Sequence, residues 1–135
     1  MADGDDVSLE WCGRIANDEL NALHAEAFGH EVEDADWVAR LEGFSVGWVV
    51  ARDASGLVGF VNVAGDGGLH AFVLDTCVST RVRGRGIGAR LVRAAAEGSR
   101  SAGCSWLHVD FTEDLAPFYR DACGFRPTAA GLLAL

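Results

Sequence analysis

Apolar and polar positions alternate along some stretches of this chain and recur at helical spacing along others, and the two patterns together predict its secondary structure. Near the amino terminus, the stretch VSLEWCGRI is typical of a strand. Two helices are expected next, over residues 17–30 and 34–44, because each segment places apolar residues on one helical face. In the second segment that face consists of Trp37, Leu41 and Phe44.

Three strands are expected to follow in a row. The apolar stretches SVGWVVARD, LVGFVNVAG and LHAFVLDTCV are separated by the turn residues ASG and DGG, a pattern that predicts an antiparallel meander. A helix is then expected from Ile87 to Gly103, followed by a strand in CSWLHVDF and a helix in EDLAPFYRDACG. The final segments, FRPT and GLLAL, are interpreted as short closing strands.

This order of elements predicts an α+β fold. One strand–helix–strand crossover is inserted in an otherwise antiparallel sheet, and no repeat or linker interrupts the pattern. The length of 135 residues is typical of a single domain, so we expect residues 1–135 to form one unit.

Composition narrows the class of protein. The net charge of −9 disfavours general nucleic-acid binding, and the sequence has neither an apolar run that predicts a membrane span nor an amino-terminal secretory signal. We therefore expect a cytoplasmic protein that binds neither nucleic acid nor membrane. The four cysteines lie far apart and show no metal-ligand spacing, so we expect free thiols and no metal.

The basic residues are concentrated in one place. All eleven are arginines, and six of them lie between Arg81 and Arg100, around the stretch RVRGRGIGARLV. A glycine-rich loop that leads into a helix predicts an anion site, because the first N–H groups of a helix are unpaired and its dipole favours negative charge. Arginine adds charge-assisted hydrogen bonds to phosphate. We interpret this loop as a phosphate or pyrophosphate site.

The loop also has three other interpretations. A solvated turn would contain glycine and arginine too. The P-loop motif is excluded because the chain has no lysine. The dinucleotide fingerprint is matched by Gly84, Gly86 and Ala89, with Asp110 as the acid that would bind a ribose. Against it, the preceding strand is expected to end near Val78, and too few residues follow Asp110 for a doubly wound sheet.

Two motifs in this order resemble the GNAT superfamily of N-acetyltransferases. VSTRVRGRGIG is similar to the family's acyl-CoA signature R/Q-x-x-G-x-G/A, with Arg83, Gly86 and Gly88 at its fixed positions. PFYRDACGF is similar to its second landmark, x-F/L-Y-x-x-x-G-F, with one additional residue between Tyr119 and Gly124.

The resemblance, which covers about residues 46–125, implies a GNAT-like acyl-CoA N-acyltransferase fold, in which a mixed, mostly antiparallel sheet has helices on both faces. It also implies that acetyl-CoA is the co-substrate and that Tyr119 faces the sulfur as general acid. The preceding strand and the next one would part to admit the pantetheine arm, and the loop would cradle the pyrophosphate. The residues that would contact the co-substrate are Thr76, Cys77, Val78, Arg83, Gly84, Arg85, Gly86, Ile87 and Gly88.

Acetylation of an amine also needs a base, because an alkylamine is mostly protonated at neutral pH. Three residues are candidates for this base: His108, on the strand that parts from its neighbour, Asp75, on the strand before the loop, and Asp110, which shares a face with His108. Each also has a structural interpretation: a histidine of the sheet, a hydrogen-bonding carboxylate and a strand-end or helix-cap residue.

The function expected from these observations is direct transfer of an acetyl group from acetyl-CoA to a primary amine of a small molecule or peptide. A non-catalytic protein that senses or binds acyl-CoA on the same scaffold is the alternative, and Tyr119 favours the enzyme. Acidic residues between Glu31 and Asp36 favour a cationic amine. A homodimer is left open.

Overall fold

The computed structural model describes residues 6–135, which form three α-helices and five strands joined by short turns. Strand β1 (Ser8–Trp11) leads into two helices. The three central strands follow, then a 3₁₀ turn (Thr80–Val82), the long helix, the last strand, a second 3₁₀ turn (Glu113–Leu115) and a π-helical turn (Pro117–Ala122). The other bounds are α1 (Asn17–Phe28), α2 (Trp37–Phe44), β2 (Ser45–Asp53), β3 (Gly56–Gly65), β4 (His70–Val78), α3 (Ile87–Ser101) and β5 (Trp106–Val109).

The five strands form one sheet in the order β1-β2-β3-β4-β5. Neighbouring strands are antiparallel from β1 to β4, whereas β4 and β5 are parallel. Parallel neighbours need a crossover, and α3 provides it. The α+β architecture and the mixed, mostly antiparallel sheet expected from the sequence are both confirmed.

Each face of the sheet is covered by a different set of helices, as expected from the sequence. Because side chains alternate along a strand, Val49 and Ala51 pack towards α3 while Val50 packs towards α1 and α2. Ile87, Leu91 and Ala95 of α3 are fully buried on the first face. On the second face the buried residues are Leu20, Leu23, Trp37, Leu41, Phe60 and Cys77.

Three expectations from the sequence are corrected. Residues 126–135 form no strand, so FRPT and GLLAL do not close the sheet and β5 is its last described strand. Ala129, Ala130 and Gly131 have low strand propensity, and Leu132 and Leu133 are exposed instead of packing on the sheet. EDLAPFYRDACG is helical from Glu113 to Ala122, as expected, but as a 3₁₀ turn that passes into a π-helix instead of a regular α-helix. Phe44 is exposed and not part of the buried stripe of α2.

Candidate active site

The geometry of the site begins with a break in β4. Phe60 of β3 pairs with Cys77, but Asn62 pairs with Leu74, so Val61 lies opposite both Asp75 and Thr76. This is a bulge, and Asp75 adopts a left-handed conformation there, with φ of 58°. That conformation is strained for a residue other than glycine, and strained residues are concentrated at functional sites.

The same break marks where β4 and β5 part. Their parallel pairing covers His70–Val73 of β4 and Trp106–Val109 of β5, and β5 then ends. The edge of β4 from Leu74 to Val78 thus has no strand beside it on the β5 side within the described residues. Main-chain groups along this edge therefore have no β5 partner, and the place where the two strands part is called the gap.

The glycine loop lies at the carboxyl end of β4. Gly84 and Gly86 have φ of 81° and 76°, values that glycine adopts without strain, and Gly86 immediately precedes α3. A Cβ at either position would meet no atom within 4 Å, so both positions face open space. The hydrogen-bond ladder of α3 begins with the N–H of Arg90 bonded to the carbonyl of Gly86. The earlier N–H groups of α3 have no acceptor within the helix.

The arginines of the loop are directed to different places. Arg81 bonds to Ser55 and to the carboxylate of Asp53, which lies 3.3 Å away. The hydroxyl of Ser55, the backbone N–H of Ser55 and the guanidinium of Arg81 together lower the pKa of Asp53 to about 2. Arg83 donates to the carbonyls of Val78 and Ala27, at 3.3 and 3.1 Å. Arg85 is exposed and has no protein partner among the described residues. The side chain of Arg85 is therefore the one best placed to meet an anion.

Helix α1 is fastened to the beginning of the loop. The carboxylate of Glu26 accepts hydrogen bonds from the backbone N–H and the hydroxyl of Thr80, at 2.6 and 2.7 Å, and one from the Ser79 hydroxyl at 3.1 Å. These bonds, with those from Thr80 the largest influence, hold the pKa of Glu26 below its ordinary value. Together with the bond from Arg83 to Ala27, they fix the carboxyl end of α1 against the loop.

Tyr119 lies beside the open edge of β4. Its ring stacks on Phe111, with centroids 5.1 Å apart, and meets Phe118 and Phe125 edge-on. Phe118 in turn approaches Gly88 so closely that a Cβ there would lie 3.2 Å from its ring. Burial raises the pKa of Tyr119 above its ordinary value, and the hydroxyl of Thr76 beside it lowers that pKa in part.

Thr76 and Tyr119 do not satisfy each other fully. Although the two hydroxyls are close enough to interact, Thr76 Oγ1 is buried without a regular hydrogen-bond partner in the part of the chain that the structure describes. A buried hydroxyl in this state is costly, since it has given up water without replacing it. Thr76 lies beside Tyr119 on the part of β4 that has no β5 partner, so a polar ligand group that reaches this hydroxyl would satisfy it.

Asp75 lies on the opposite side of the bulge, against α1. Its Oδ1 is 3.0 Å from Nε2 of His24, and Nδ1 of His24 is 2.8 Å from Nε2 of His30. The His24 ring is held between Phe28 and Trp37, with centroid distances of 4.5 and 5.4 Å. The structure thus joins one predicted site residue, Asp75, to two histidines that the sequence did not single out.

His108 lies elsewhere. Its Nε2 is 2.8 Å from Nδ1 of His70, its ring stacks on Phe72 at 4.6 Å, and its backbone pairs with Phe72. Phe72 precedes Asp75 by three residues, which is about 10 Å along a strand at about 3.3 Å per residue. The two predicted bases therefore belong to different ends of β4. Asp110, which follows β5, is exposed.

The remaining predicted residues divide into backbone and side-chain roles. Cys77 is buried in the core beneath α1, and burial raises the pKa of its thiol to about 12, so it is not a reactive nucleophile. All four cysteines are free. No group of three or more metal-ligating side chains comes together among residues 6–135, and none of the helices described there is long and apolar enough to cross a membrane.

Comparison with known proteins places this geometry in a family. The family model described as the acetyltransferase (GNAT) family matches residues 14–125. The chain therefore belongs to the GNAT acetyltransferase family, and the family, the fold and the enzyme class expected from the sequence are confirmed at that level.

Particular relatives are similar over part of the sequence or over the fold. The probable glucosamine 6-phosphate N-acetyltransferase 2 of Oryza sativa subsp. japonica is 41% identical over 59 residues, which are 44% of this chain and 35% of the relative. The match thus spans about a third of the length of this curated relative. The glucosamine-6-phosphate N-acetyltransferase of Arabidopsis thaliana superposes with a TM-score of 0.72 at 16% identity, covering 95% of this chain and 98% of that one.

A further solved structure is a GNAT family N-acetyltransferase from Escherichia coli, in complex with CoA. It superposes with a TM-score of 0.70 at 22% identity, over 90% of this chain and 69% of that one. At this level of identity the likeness establishes a shared fold.

Proposed function

We propose that this protein is an acetyl-CoA-dependent N-acetyltransferase that moves an acetyl group directly to a primary amine. The observation that carries the proposal is the gap between β4 and β5, which leads from the glycine loop to Tyr119 and Asp75. Membership of the GNAT family supports it.

The residues along the gap fit acetyl-CoA. The N–H groups at the start of α3 and the side chain of Arg85 suit a pyrophosphate, and Gly84 and Gly86 leave room for it. The unpaired edge of β4 at Thr76–Val78 suits the amide groups of the pantetheine arm, and the unsatisfied Thr76 Oγ1 suits a polar group near its end. Arg83, Ile87 and Gly88 contribute through the backbone and packing of the loop, since the guanidinium of Arg83 is bonded to α1.

When bound, acetyl-CoA supplies an acetyl thioester that is reactive towards an uncharged amine. Tyr119 holds a proton at its hydroxyl and donates it as the general acid. The raised pKa of Tyr119 suits this role because the phenol stays protonated throughout the neutral range. Asp75 takes the proton of the amine as the general base. It lies next to Thr76 in the bulge, so acid and base flank the same point of β4 from two sides.

His108 remains the second candidate for the base. Its exposed position on β5 and its contact with His70 put it at the paired end of β4, which disfavours it relative to Asp75. The two assignments predict opposite effects on kcat when Asp75 or His108 is substituted singly.

The acceptor is proposed to be a small-molecule or peptide amine. Helices α1 and α2, with the acidic segment between them, lie on the same face as Asp75 and would line one side of its site. The charge of this segment favours a cationic amine, whereas the similarity to glucosamine 6-phosphate N-acetyltransferases favours an amino sugar phosphate.

The test is release of thiol from acetyl-CoA with a panel of amines: glucosamine 6-phosphate, spermidine, an aminoglycoside and a short peptide with a free amino terminus. The proposal predicts thiol release that depends on at least one amine and yields the acetylated amine by mass spectrometry. Tight binding of acetyl-CoA without amine-dependent release would favour the non-catalytic sensor. Failure to bind acetyl-CoA would overturn both.

A further inference from the structure

We propose that Asp75, His24 and His30 form a proton relay that carries the proton of the acceptor amine from Asp75 to solvent at His30. The proposal rests on the acetyltransferase function proposed above, and it assigns roles to two histidines that the sequence did not connect with the site. Asp75 is the group that meets the amine; His24 and His30 act through it.

The relay consists of three consecutive hydrogen-bond contacts. Asp75 Oδ1 and His24 Nε2 are 3.0 Å apart, His24 Nδ1 and His30 Nε2 are 2.8 Å apart, and His30 Nδ1 is 2.7 Å from the carbonyl oxygen of Glu31. The side chains of His24 and Asp75 are only 18% and 29% exposed, whereas His30 is exposed. The contacts thus lead from a sheltered carboxylate to the surface.

The three contacts of the relay determine how many protons Asp75, His24 and His30 hold together. The two ends of the relay are the carboxylate of Asp75 and the carbonyl of Glu31, and both are hydrogen-bond acceptors. The three contacts therefore need three protons to be hydrogen bonds. Two neutral imidazoles supply only two. The geometry therefore points to one additional proton shared by Asp75, His24 and His30. When His30 gives that proton to water, the relay holds one proton fewer than its three contacts need, and it can take up another at Asp75.

The stoichiometry of the proposed reaction matches this capacity. As the C–N bond forms and the C–S bond of the thioester breaks, an ammonium group loses two protons to become an amide that keeps one N–H. Tyr119 donates its proton to the departing thiolate and is reprotonated by one of these two protons, so that proton is balanced by the new thiol. The second amine proton must leave the site, and a relay that stores and releases one proton is sufficient to remove it.

The surroundings hold the relay in one arrangement. Trp37, which packs on His24, donates from Nε1 to Asn21 Oδ1 at 3.1 Å, and the amide nitrogen of Asn21 donates to the carbonyl of Ala35 at 3.0 Å. The bulge directs Asp75 towards His24 at the cost of a left-handed backbone. The His24 ring can therefore turn away from Asp75 only by disturbing buried contacts.

Other ionisable groups lie around the relay, and a change in their charge would also alter the pH dependence of turnover. Glu26, Cys77 and Arg83 lie close on α1, β4 and the loop, Arg40 lies over the ring of Trp37, and Glu31 follows His30. The pKa of Glu26 is lowered and that of Cys77 is raised to about 12, so neither changes charge between about pH 6 and 9. Arginines keep their charge throughout this range.

The experiment compares His30→Ala with a matched control, His70→Ala, which removes the histidine of the other pair. Turnover is measured at pH 7 and pH 9.5 with saturating acetyl-CoA and the best amine of the panel, in a buffer without imidazole. We expect His30→Ala to lower kcat about tenfold at pH 7. The loss should shrink to about twofold at pH 9.5, where more of the amine is already uncharged. Added imidazole should restore part of the rate at pH 7, with KM for acetyl-CoA unchanged.

A merely structural role for His30 predicts an equal loss at both pH values and no rescue, and either equal loss or wild-type turnover would overturn the proposal. A second readout does not depend on turnover: ring ¹⁵N resonances of labelled histidines at pH 7. We expect three ring protons over His24 and His30, and a change at both rings in Asp75→Asn but not at His70 and His108. Two neutral rings would overturn the relay. Absence of turnover with every amine would instead overturn the proposed function, and the resonances would still decide whether the proton is shared.

Discussion

The two halves of β4 are alike in one respect and different in another. Each is associated with a histidine pair whose ring nitrogens are 2.8 Å apart: His70 and His108 at the amino half, His24 and His30 at the carboxyl half. The amino half is paired on both sides, with β3 and β5. The carboxyl half is bulged and has β3 alone beside it among the described strands.

In the proposed mechanism, this difference separates the histidine pair that carries protons from the pair that does not. The His70–His108 pair lies over a complete ladder and beside exposed Phe72, and the nearby carboxylate of Asp66 accepts from the backbone N–H of His70. The other pair ends on Asp75, at the point where the ladder is broken, and Tyr119 lies on the other side of that break. We therefore expect the two histidine pairs to differ in function because of the backbone to which they are attached.

The largest effect is expected at Asp75. Asp75→Asn keeps an oxygen for His24 but removes the base, so kcat should fall by about 10²-fold or more, as is typical when general-base catalysis is lost. His108→Gln should leave kcat within about twofold, as expected for an exposed side chain remote from the reaction. Steady-state kinetics of both variants measures the contrast. The reverse pattern would assign the base to His108 and to the paired half of β4.

A second comparison uses two glycines at opposite ends of α3. Gly86, with φ of 76°, precedes the helix at the open half of β4, and Gly103, with φ of 98°, follows it on the way to β5; a Cβ at either would meet open space. Glutamate at either position strains the backbone, because both glycines have positive φ. Only Gly86→Glu adds negative charge at the proposed pyrophosphate site.

Calorimetric affinity for CoA should therefore fall at least about tenfold in Gly86→Glu, a loss of about 1.4 kcal/mol or more. It should remain within about twofold in Gly103→Glu. Thermal denaturation of both variants shows whether the backbone cost is matched. Equal affinities in the two variants would remove the loop from the binding site.

The effect at Tyr119 is expected to be of the order of tenfold. Tyr119→Phe keeps the ring stacked on Phe111 and removes only the proton donor, so kcat should fall about tenfold while CoA affinity stays within a few fold. Because burial raises the pKa of Tyr119, its hydroxyl stays protonated from about pH 6 to 9. The fractional loss should therefore be constant over that range, unlike the loss in His30→Ala. Wild-type turnover in Tyr119→Phe would show that Tyr119 only packs in the aromatic cluster and is not the proton donor.

Local patterns in the sequence were sufficient to predict much of the fold. Alternation and turn residues gave the meander β2-β3-β4, and helical spacing gave α3 with Ile87 and Leu91 inward. The glycines of the loop before α3 include Gly84 and Gly86, which have the positive φ that glycine adopts without strain. These features depend on neighbours a few residues away, and such dependence is visible in a sequence.

Long-range and non-standard features were not predictable in this way. His24 and Asp75 are 51 residues apart, and their contact depends on how α1 packs across β4. The bulge that turns Asp75 towards α1 needs positive φ at an aspartate, which has no sequence signature without a glycine. Only the helical spacing of His24 and Phe28, one turn apart on α1, could have placed a histidine on the face of α1 beside the sheet.

The most direct test of the account is a crystal structure of the protein with CoA bound. The account predicts pantetheine along the open edge of β4 from Thr76 to Val78, the pyrophosphate at the amino end of α3, and the sulfur near Tyr119. CoA bound elsewhere, for example in the cavity of about 300 Å³ between α3 and β5 that is lined by Arg93 and Cys123, would contradict it.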